Sequence, residues 1–342
     1  VFIEAKSAIQ TFIRTLESFE FSVSRLNALV LSFFRRFAHL LRERFASDFQ
    51  QAIREAQHQP MIVNNGDELA KVLSVCWLKP GEADQLKQLP FPLSLPFSQT
   101  YPLCCMDIRS LVEQYYSFSS GMTQYHQDID LILTQSLDDL LIQQISINIR
   151  DTVEESTNLS QIAQIIVNIE HFQLACSELE RWLSESRTPN PGSRLALGAS
   201  EHLSTTLEIA QKRIDSAMFV KLDQFLDLLE YDWMPIQSAS MQRQPSSYLR
   251  DLIDWISTMM ESALVLLPKV AKDATFTSCF MHISNRLLNS ALLDRQVKMI
   301  NLAALTNLDV DITFVYQYAK SLNVHGIETV FGQVRQTLGV IL

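Results

Sequence analysis

Apolar positions recur every three or four residues over most of the chain, which is the spacing of an amphipathic α-helix. The clearest stripe lies in segment 158–186, and its inward positions are Ile162, Ile165, Ile169, Phe172, Cys176, Leu179 and Leu183. Segment 22–57 has a similar stripe, formed by Leu26, Leu29, Phe33, Phe37, Leu40, Leu41 and Phe45. No segment alternates apolar and polar residues as a half-buried strand bounded by hairpin turns does. The pattern therefore predicts an all-α fold without strands.

The predicted helices end where proline, glycine and small polar residues interrupt the pattern. They cover 2–17, 22–57, 67–76, 104–120, 124–151, 158–186, 200–229, 247–266, 268–290, 308–322 and 326–341. Four residues have the type and position of helix N-caps, namely Ser22, Asn158, Ser200 and Asn307. Asn158 is followed by Gln161 at capping-box spacing. Asp309 and Asp311 suit the positive end of a helix that begins at 308.

The segment 77–102 interrupts the helices because five of the 11 prolines fall within it. Each interior proline removes a hydrogen-bond donor and clashes with the preceding turn, so a continuous helix is excluded. The segment also carries apolar side chains at Leu89, Phe91, Leu93, Leu95 and Phe97. A proline-rich segment with this composition is more typical of a stretch that packs along a domain than of a free linker.

A second interruption, at 187–199, is the best internal boundary, because it combines prolines and glycines with small polar residues. The sequence therefore predicts an N-terminal helical bundle over 1–190, which includes the extended segment 77–102. A C-terminal helical bundle is predicted over 199–342.

Charge and composition exclude several functional classes. The chain of 342 residues has a formal net charge of -10, so it has no general attraction to nucleic acid or anionic lipid. The 8 glycines argue against barrels and glycine-rich nucleotide loops. A basic group at Arg35, Arg36, Arg42 and Arg44 is interpreted as a solvated helix face, with a lipid or partner patch as the alternative.

The cysteines and the lengths of the apolar runs bear on the compartment. The 5 cysteines fit no disulfide or zinc framework, which indicates a reducing compartment such as the cytosol. No apolar run approaches the ~20 residues that a transmembrane helix needs, and no secretory signal peptide is recognisable.

Candidate chemistry is sparse. The 7 histidines form no His-Glu-x-x-His pair and have no cysteine pair at zinc spacing. Neighbouring acids occur at Asp128/Asp130, Asp138/Asp139, Glu154/Glu155 and Asp309/Asp311, and adjacent acids on exposed helix turns are usually solvated. Dinucleotide-binding, P-loop and nucleophile-elbow motifs do not occur. The sequence therefore predicts no catalytic residue, no cofactor and no metal site, and favours a binding role.

The order of several short motifs carries a family resemblance. Thr15-Leu16-Glu17 precedes Ser22-Val23-x-x-Leu26, and Gln59-Pro60-Met61-Ile62-Val63 precedes Leu95-Pro96-Phe97-Ser98. Leu266-Leu267-Pro268-x-Val270-Ala271 and Val297-Lys298-x-Ile300 follow, and Asp311 to Ala319 closes the match. Over about 1–320, this order resembles the C-terminal region of the exocyst complex component six family. The chain departs from the family at Asn301-Leu302-Ala303, where Ser-Met-Gly is frequent, and at Asp309, where Asn is expected.

The resemblance implies an elongated all-α rod of two consecutive helical bundles. It implies a non-catalytic subunit of the exocyst tethering complex that binds a GTP-loaded secretory Rab GTPase. Other exocyst subunits and, in fungi, a type V myosin are the further partners that it implies. The expected location is cytoplasmic, peripheral on secretory vesicles and at plasma-membrane sites of exocytosis.

The Rab-binding surface is expected on the helix faces at 270–286 and 301–320. Lys269, Asn307, Asp309 and Gln317 are the candidate contact residues. Two alternatives remain at this point. One is another all-helical subunit of a tethering complex, and the other is a helical scaffold protein, which would need a repeat of about 34–47 residues.

Overall fold

The computed structural model describes residues 2–54, 58–122, 125–185, 196–231, 233, 244–289 and 301–341. The first half contains α1 (Phe2–Ser18), α2 (Ser24–Arg54), β1 (Ile62–Val63), α3 (Gly66–Val75), α4 (Glu82–Lys87), β2 (Leu93–Ser94), α5 (Thr100–Ser119), α6 (His126–Asp139), a π-helical segment (Leu140–Ser146) and α7 (Ile147–Glu155). The second half contains α8 (Leu159–Glu185), α9 (Ala199–Leu226), α10 (Ser247–Glu261), α11 (Lys269–Leu287), α12 (Leu302–Ser321), a 3₁₀ segment (Ile327–Phe331) and α13 (Gly332–Ile341). The predicted all-α fold class is confirmed.

The chain forms two compact units. Unit 1 comprises Val1–Glu155 and Val167–Glu208, and unit 2 comprises Ser156–Ile166 and Ile209–Leu342. Helices α8 and α9 therefore contribute residues to both units. Most of the interruption at 187–199 lies outside the described residues. The predicted division into bundles 1–190 and 199–342 stays a prediction.

Helix α8 buries the stripe that its sequence predicts, whereas α2 does not. All seven predicted inward residues of α8 are buried. In α2, Leu41 and Phe45 are buried as expected, but Leu29 is 44% exposed and Leu40 is 37% exposed. The buried stripe of α2 consists instead of Val30, Phe34, Ala38, Leu41, Phe45, Phe49 and Ile53.

The error in α2 has a physical cause. Adjacent pairs such as Phe33 and Phe34 make the helix apolar around more than half of its circumference, so spacing alone leaves two possible inward faces. Packing against α5 decides between them. The Phe34 ring lies 4.9 Å from the Tyr115 ring and 6.0 Å from the Phe118 ring, and Phe37 stacks on Phe118 at 4.2 Å.

The proline-rich segment packs into unit 1. Leu93, Leu95 and Phe97 are buried. The Ser98 N–H donates to Asn168 Oδ1 at 2.9 Å, and Asn168 Nδ2 donates to Ser98 Oγ at 2.8 Å. The Tyr101 hydroxyl donates to the Trp77 carbonyl at 2.6 Å. These bonds satisfy polar groups that would otherwise be buried without partners.

Two predictions about this segment are wrong. A two-residue antiparallel ladder pairs Ile62 with Ser94 and Val63 with Leu93, so the expectation of no strand fails. The segment is also not extended throughout, because α4 forms within it and α5 begins at Thr100. Pro102 lies in the first turn of α5, where a missing N–H removes no intrahelical bond. Proline content therefore overstated the extent of non-helical chain.

Several predicted helix ends also differ from the observed ones. Helix α2 begins at Ser24 rather than at Ser22, and Ser200 lies inside the first turn of α9. Asn158 does cap α8, because its Oδ1 accepts from the Ser160 and Gln161 N–H groups. The capping box is only half formed, since the Gln161 side chain bonds Ser156 Oγ instead of the Asn158 backbone.

The predicted helix 124–151 is interrupted by the π-helical segment Leu140–Ser146, which no sequence signal indicated. In a π turn each N–H bonds the carbonyl five residues earlier, as the Ile147 N–H does with the Ile142 carbonyl. At the end of this segment the Ser146 hydroxyl lies 2.9 Å from the Thr206 hydroxyl, and both residues are buried.

The turn between α1 and α2 is a Schellman motif, in which two backbone bonds close the end of a helix. The Glu20 N–H donates to the Glu17 carbonyl at 3.0 Å, and the Phe21 N–H donates to the Leu16 carbonyl at 3.1 Å. Glu20 takes the left-handed position with φ 61°, where glycine is usual. The side chain at this position therefore strains the backbone.

The first prediction concerns this strain. Replacing Glu20 with glycine should raise the free energy of unfolding by about 1 kcal/mol, because the left-handed conformation costs a residue with a Cβ atom about that much. Urea unfolding measures the change. The matched control is Glu17→Gly, which removes the same charge inside α1 and should lower stability by about 0.5 to 1 kcal/mol. A loss of stability in the Glu20→Gly variant would contradict the assignment.

The second prediction concerns Glu82 at the start of α4. Its Oε1 lies 3.6 Å from His171 Nε2, and its Oε2 accepts from the Lys79 N–H at 2.9 Å. The His171 imidazole lowers the pKa of Glu82 below its ordinary 4.5, although burial opposes the shift. The carboxylate therefore stabilises the fold above about pH 4.5, and this contribution is lost as the pH falls through the lower folded pKa.

The Glu82→Gln variant should lose this pH dependence. The difference in unfolding free energy between the native chain and the variant should shrink by about 1 kcal/mol or less on going from pH 6 to pH 3, since a half-buried group is partly screened by water. Urea unfolding at the two pH values provides the measurement, with Asp84→Asn in the same helix as control. A difference that grows on acidification would refute the sign of the shift.

Candidate functional site

Helices α11 and α12, which carry the two expected binding faces, both belong to unit 2. A cluster of aromatic rings packs on their inner sides. The Phe280 ring of α11 lies 6.1 Å from the Tyr318 ring of α12 and 6.2 Å from the Phe331 ring of the 3₁₀ segment. The Tyr316 ring of α12 lies 6.1 Å from Phe331. This cluster fixes the inner sides of both helices and leaves their outer sides to solvent.

The outer side of α11 is apolar in part. Val270 is 81% exposed and Met281 is 50% exposed. The exposed residues follow helical spacing, and we call them the α11 stripe: Val270, Ala274, Thr277, Met281 and Asn285, of which Thr277 is half-buried. Methionine adapts its shape to a partner surface. The α11 stripe can therefore contribute contact area.

The outer side of α12 is more polar. Its most exposed residues form the α12 stripe, which consists of Leu302, Thr306, Asp309, Thr313, Gln317 and Lys320, with the two threonines half-buried. Asp309 and Gln317 are eight residues apart along this stripe, about 12 Å at the helical rise. The structure thus places two of the four predicted contact residues on one face.

The other two predicted residues lie elsewhere. Lys269 is the exposed first residue of α11. Asn307 is half-buried at the side of α12, and it is not the N-cap of that helix. Helix α12 begins at Leu302, and Asn301 caps it by accepting from the Ala303 N–H at 2.9 Å. The sequence 302–307 contains no helix-breaking residue, so α12 can begin at Leu302, six residues before the predicted start at 308.

The structure contradicts the prediction that Asp311 lies at the positive, N-terminal end of its own helix. It is the tenth residue of α12 and is fully buried. Its Oδ1 accepts from the Ser246 N–H at 2.7 Å, and its Oδ2 accepts from the Ser246 and Tyr231 hydroxyls at 2.7 Å each. Ser246 is the N-cap of α10, so the carboxylate lies at the positive end of a neighbouring helix. We call this group the Asp311 clasp.

The tyrosines of this region remain neutral donors. The Tyr231 and Tyr248 hydroxyl oxygens lie 3.2 Å apart. Burial raises the pKa of Tyr248 to about 12 and raises the pKa of Tyr231 further. Both hydroxyls therefore keep their protons at neutral pH, and Tyr231 can donate to Asp311. Sequence reasoning missed the clasp because its members are separated by up to 80 positions.

Two other groups of charged residues make ion-pair contacts. On α9 and α11, Asp223 Oδ1 lies 2.8 Å from His282 Nε2 and 3.2 Å from Arg286 Nε, and Phe219 stacks on His282. In the basic group of α2, Arg42 pairs with Asp139, and Arg35 Nη2 lies 3.8 Å from Asp128 Oδ1. These contacts partly neutralise the basic group, in keeping with a solvated face.

The part of the chain that the structure describes contains no group of three or more His, Cys, Asp or Glu side chains that could hold a metal ion. Within the same ranges, no helix combines the length and the apolar character that a membrane-spanning segment requires. The exposed area on α11 and α12 is the feature of these two helices that a partner could contact.

The fold defines an all-α helical-bundle protein. The chain belongs to the family described as "Exocyst complex subunit Sec15 C-terminal", whose model matches residues 25–342. The expected resemblance is thereby confirmed, and it favours this family over the two alternatives considered above.

Relatives and a solved structure support this assignment. "Exocyst complex component SEC15" of Saccharomyces cerevisiae is 25% identical over 319 residues, covering 92% of this chain and 34% of the relative. "Exocyst complex component 6" of Rattus norvegicus is 26% identical over 350 residues, covering 99% and 42%. The chain thus spans only 34% to 42% of the length of these relatives. The structure titled "Crystal Structure of Sec15 C-terminal domain" shares the fold, with a TM-score of 0.57 at 19% identity, covering 92% of this chain and 98% of that one.

The third prediction compares the two acidic residues that the sequence paired. Asp311→Asn should lower the free energy of unfolding by about 3 kcal/mol, because an amide has one acceptor oxygen for three donors and leaves a buried N–H facing another donor. Asp309→Asn is the matched control on the exposed side and should change it by less than about 0.5 kcal/mol. Urea unfolding of both variants is the measurement. Equal effects would mean that Asp311 is not buried as described.

Proposed function

We propose that the chain is part of a non-catalytic exocyst subunit that binds a GTP-loaded secretory Rab GTPase and so helps to tether vesicles at the plasma membrane. Membership in the Sec15 C-terminal family supports a role in the exocyst. The observation that carries the binding role is the α11 stripe, which exposes Val270 and Met281 on a well-packed helix. The full proteins of the family are longer than this chain, so tethering belongs to the whole subunit.

The mechanism rests on binding energy. A GTPase whose switch segments are ordered by GTP presents a surface that is lost after hydrolysis. We place that surface against the α11 stripe, with Asp309 and Gln317 of the α12 stripe as polar contacts. Lys269 lies at the start of the same α11 helix and Asn307 at the side of α12, so they are the outer members of the proposed site. Apolar anchors would supply most of the affinity and the polar residues would supply selectivity.

Further partners are proposed on the same basis. Other exocyst subunits, and in fungi a type V myosin, would use surfaces outside the α11 and α12 stripes. The location that follows is cytoplasmic, peripheral on secretory vesicles and at plasma-membrane sites of exocytosis. The relatives from Saccharomyces cerevisiae and Rattus norvegicus are named as exocyst components, which supports assembly with other subunits of that complex.

The fourth prediction tests the proposed partner. The purified chain is mixed with a panel of secretory Rab GTPases loaded with a non-hydrolysable GTP analogue or with GDP, and the affinity is measured by calorimetry. At least one GTPase should bind preferentially in its GTP-analogue form. Binding that ignores the nucleotide, or no binding across the panel, would reject the proposed partner and leave the fold untouched.

Two substitutions localise the surface. Val270→Asp and Met281→Asp should each weaken binding about tenfold, because a charge replaces an apolar anchor of an interface. Val270 is the second residue of α11, where an acidic side chain suits the helix dipole, so loss of folding is not expected. Val340→Asp on α13 is the matched control, since Val340 is equally exposed at 82%. An equal loss in the control would place the partner elsewhere.

A further inference from the structure

The Asp311 clasp ties three separate parts of unit 2 together. Tyr231 follows α9, Ser246 is the N-cap of α10, and both donate to one carboxylate on α12. We infer that Asp311 is a positioning residue, which fixes the rotational setting of α12 and so decides which of its side chains a partner meets. The part of this inference that concerns the partner rests on the proposed function.

The chemistry of the clasp makes it directional. An ionised carboxylate only accepts hydrogen bonds, and a buried one must have its oxygens satisfied. The Ser246 N–H and the two hydroxyls approach at 2.7 Å, and the N–H belongs to the first, unpaired turn of α10. If α12 rotated away from this arrangement, both the carboxylate and the N–H group at the start of α10 would lose their hydrogen-bond partners.

The other buried side chains of α12 constrain the rotation of the helix about its axis less strictly than Asp311 does. Among the buried residues that the structure describes in this helix, Asp311 alone is polar, and the others are Ala304, Leu305, Leu308, Ile312, Val315 and Ala319. Aliphatic contacts are non-directional, so they tolerate small changes in rotation better than hydrogen bonds do. The clasp therefore adds a directional constraint to the packing of Tyr316 and Tyr318 in the aromatic cluster.

The rotation set by the clasp determines the outer face. Each residue turns the helix by about 100°, so Asp309 and Asp311 point to nearly opposite sides. With Asp311 inward, Asp309 and Gln317 are exposed and Asn307 is half-buried. A rotation by one residue would give each position the exposure of its neighbour, so Asn307 would take the place of Thr306 in the α12 stripe and Gln317 would take the half-buried place of Tyr316. The two neighbouring acidic residues therefore have different roles. Asp311 holds the buried side of α12, and Asp309 lies on its exposed side.

The test measures the orientation of α12 without a partner. The 5 native cysteines are all buried, so a single engineered cysteine can be labelled selectively. Asn307→Cys and Gln317→Cys are placed in the native background and in a background with Tyr231→Phe and Ser246→Ala. These two substitutions remove both hydroxyl donors and keep the Ser246 N–H, which limits the risk of unfolding. Circular dichroism confirms that each variant is folded.

In the native background, the cysteine at 317 should react much faster than the cysteine at 307. In the double variant, the reaction at 307 should accelerate about tenfold, which corresponds to the loss of a hydrogen bond to a charged group. The reaction at 317 should become slower, because the same rotation moves that exposed position to the half-buried place of Tyr316. An unchanged rate at 307 in the folded double variant would overturn the inference.

A matched reporter separates positioning from general loosening. Thr277→Cys is a half-buried position on α11, which does not contact Asp311 in the clasp. If its labelling rate rises as much as the rate at 307, the clasp merely stabilises unit 2 and the inference fails. Tyr248→Phe is a second control, because its hydroxyl lies near Tyr231 and not on the carboxylate, and it should leave the rate at 307 unchanged.

The GTPase that binds in the panel gives the second readout. The double variant without engineered cysteines should bind it at least about fivefold more weakly at a temperature where folding is complete. Labelling that changes together with an unchanged affinity would keep the positioning role and reject α12 as the contact surface. Absence of any binding GTPase would reject the proposed function alone, because the labelling result does not depend on it.

Discussion

A buried polar group must find a partner, and in each unit one polar side chain on a long helix meets this requirement by holding non-helical chain. In unit 1 this residue is Asn168 of α8, which bonds both the backbone and the side chain of Ser98. In unit 2 it is Asp311 of α12, which receives Ser246 and Tyr231. Apolar burial supplies most of the stability of such bundles, but it does not specify where an irregular segment runs. These two residues help to specify that path, as Tyr101 does through the Trp77 carbonyl.

The existence of most helices could be predicted from the sequence because amphipathic spacing is a local property. The α8 stripe shows this, since all its predicted inward residues are buried. The α2 stripe shows the limit, because Phe33 and Phe34 offered two faces and only contacts with α5 select one. The candidate site behaves in the same way. Exposure of Asp309 and Gln317 follows from helix periodicity, whereas the burial of Asp311 depends on donors 65 and 80 positions away.

The candidate surface is divided between two kinds of chemistry. The α11 stripe offers apolar anchors, and the α12 stripe offers polar and charged groups. Asp309 stands where the family resemblance leads one to expect an asparagine, so this chain has an additional negative charge on the outer side of α12. A charge at the rim of an interface mainly changes association rate and selectivity rather than the fold.

The π-helical segment Leu140–Ser146 bears on how the family can change in length. A π turn holds one more residue than an α turn, so it absorbs an inserted residue without ending the helix. Removing one residue there would restore a regular α-helix, and it would also turn Ser146 away from the Thr206 hydroxyl that it meets at 2.9 Å. A deletion at this place would therefore leave the helix continuous, but it would break a buried side-chain pair of unit 1.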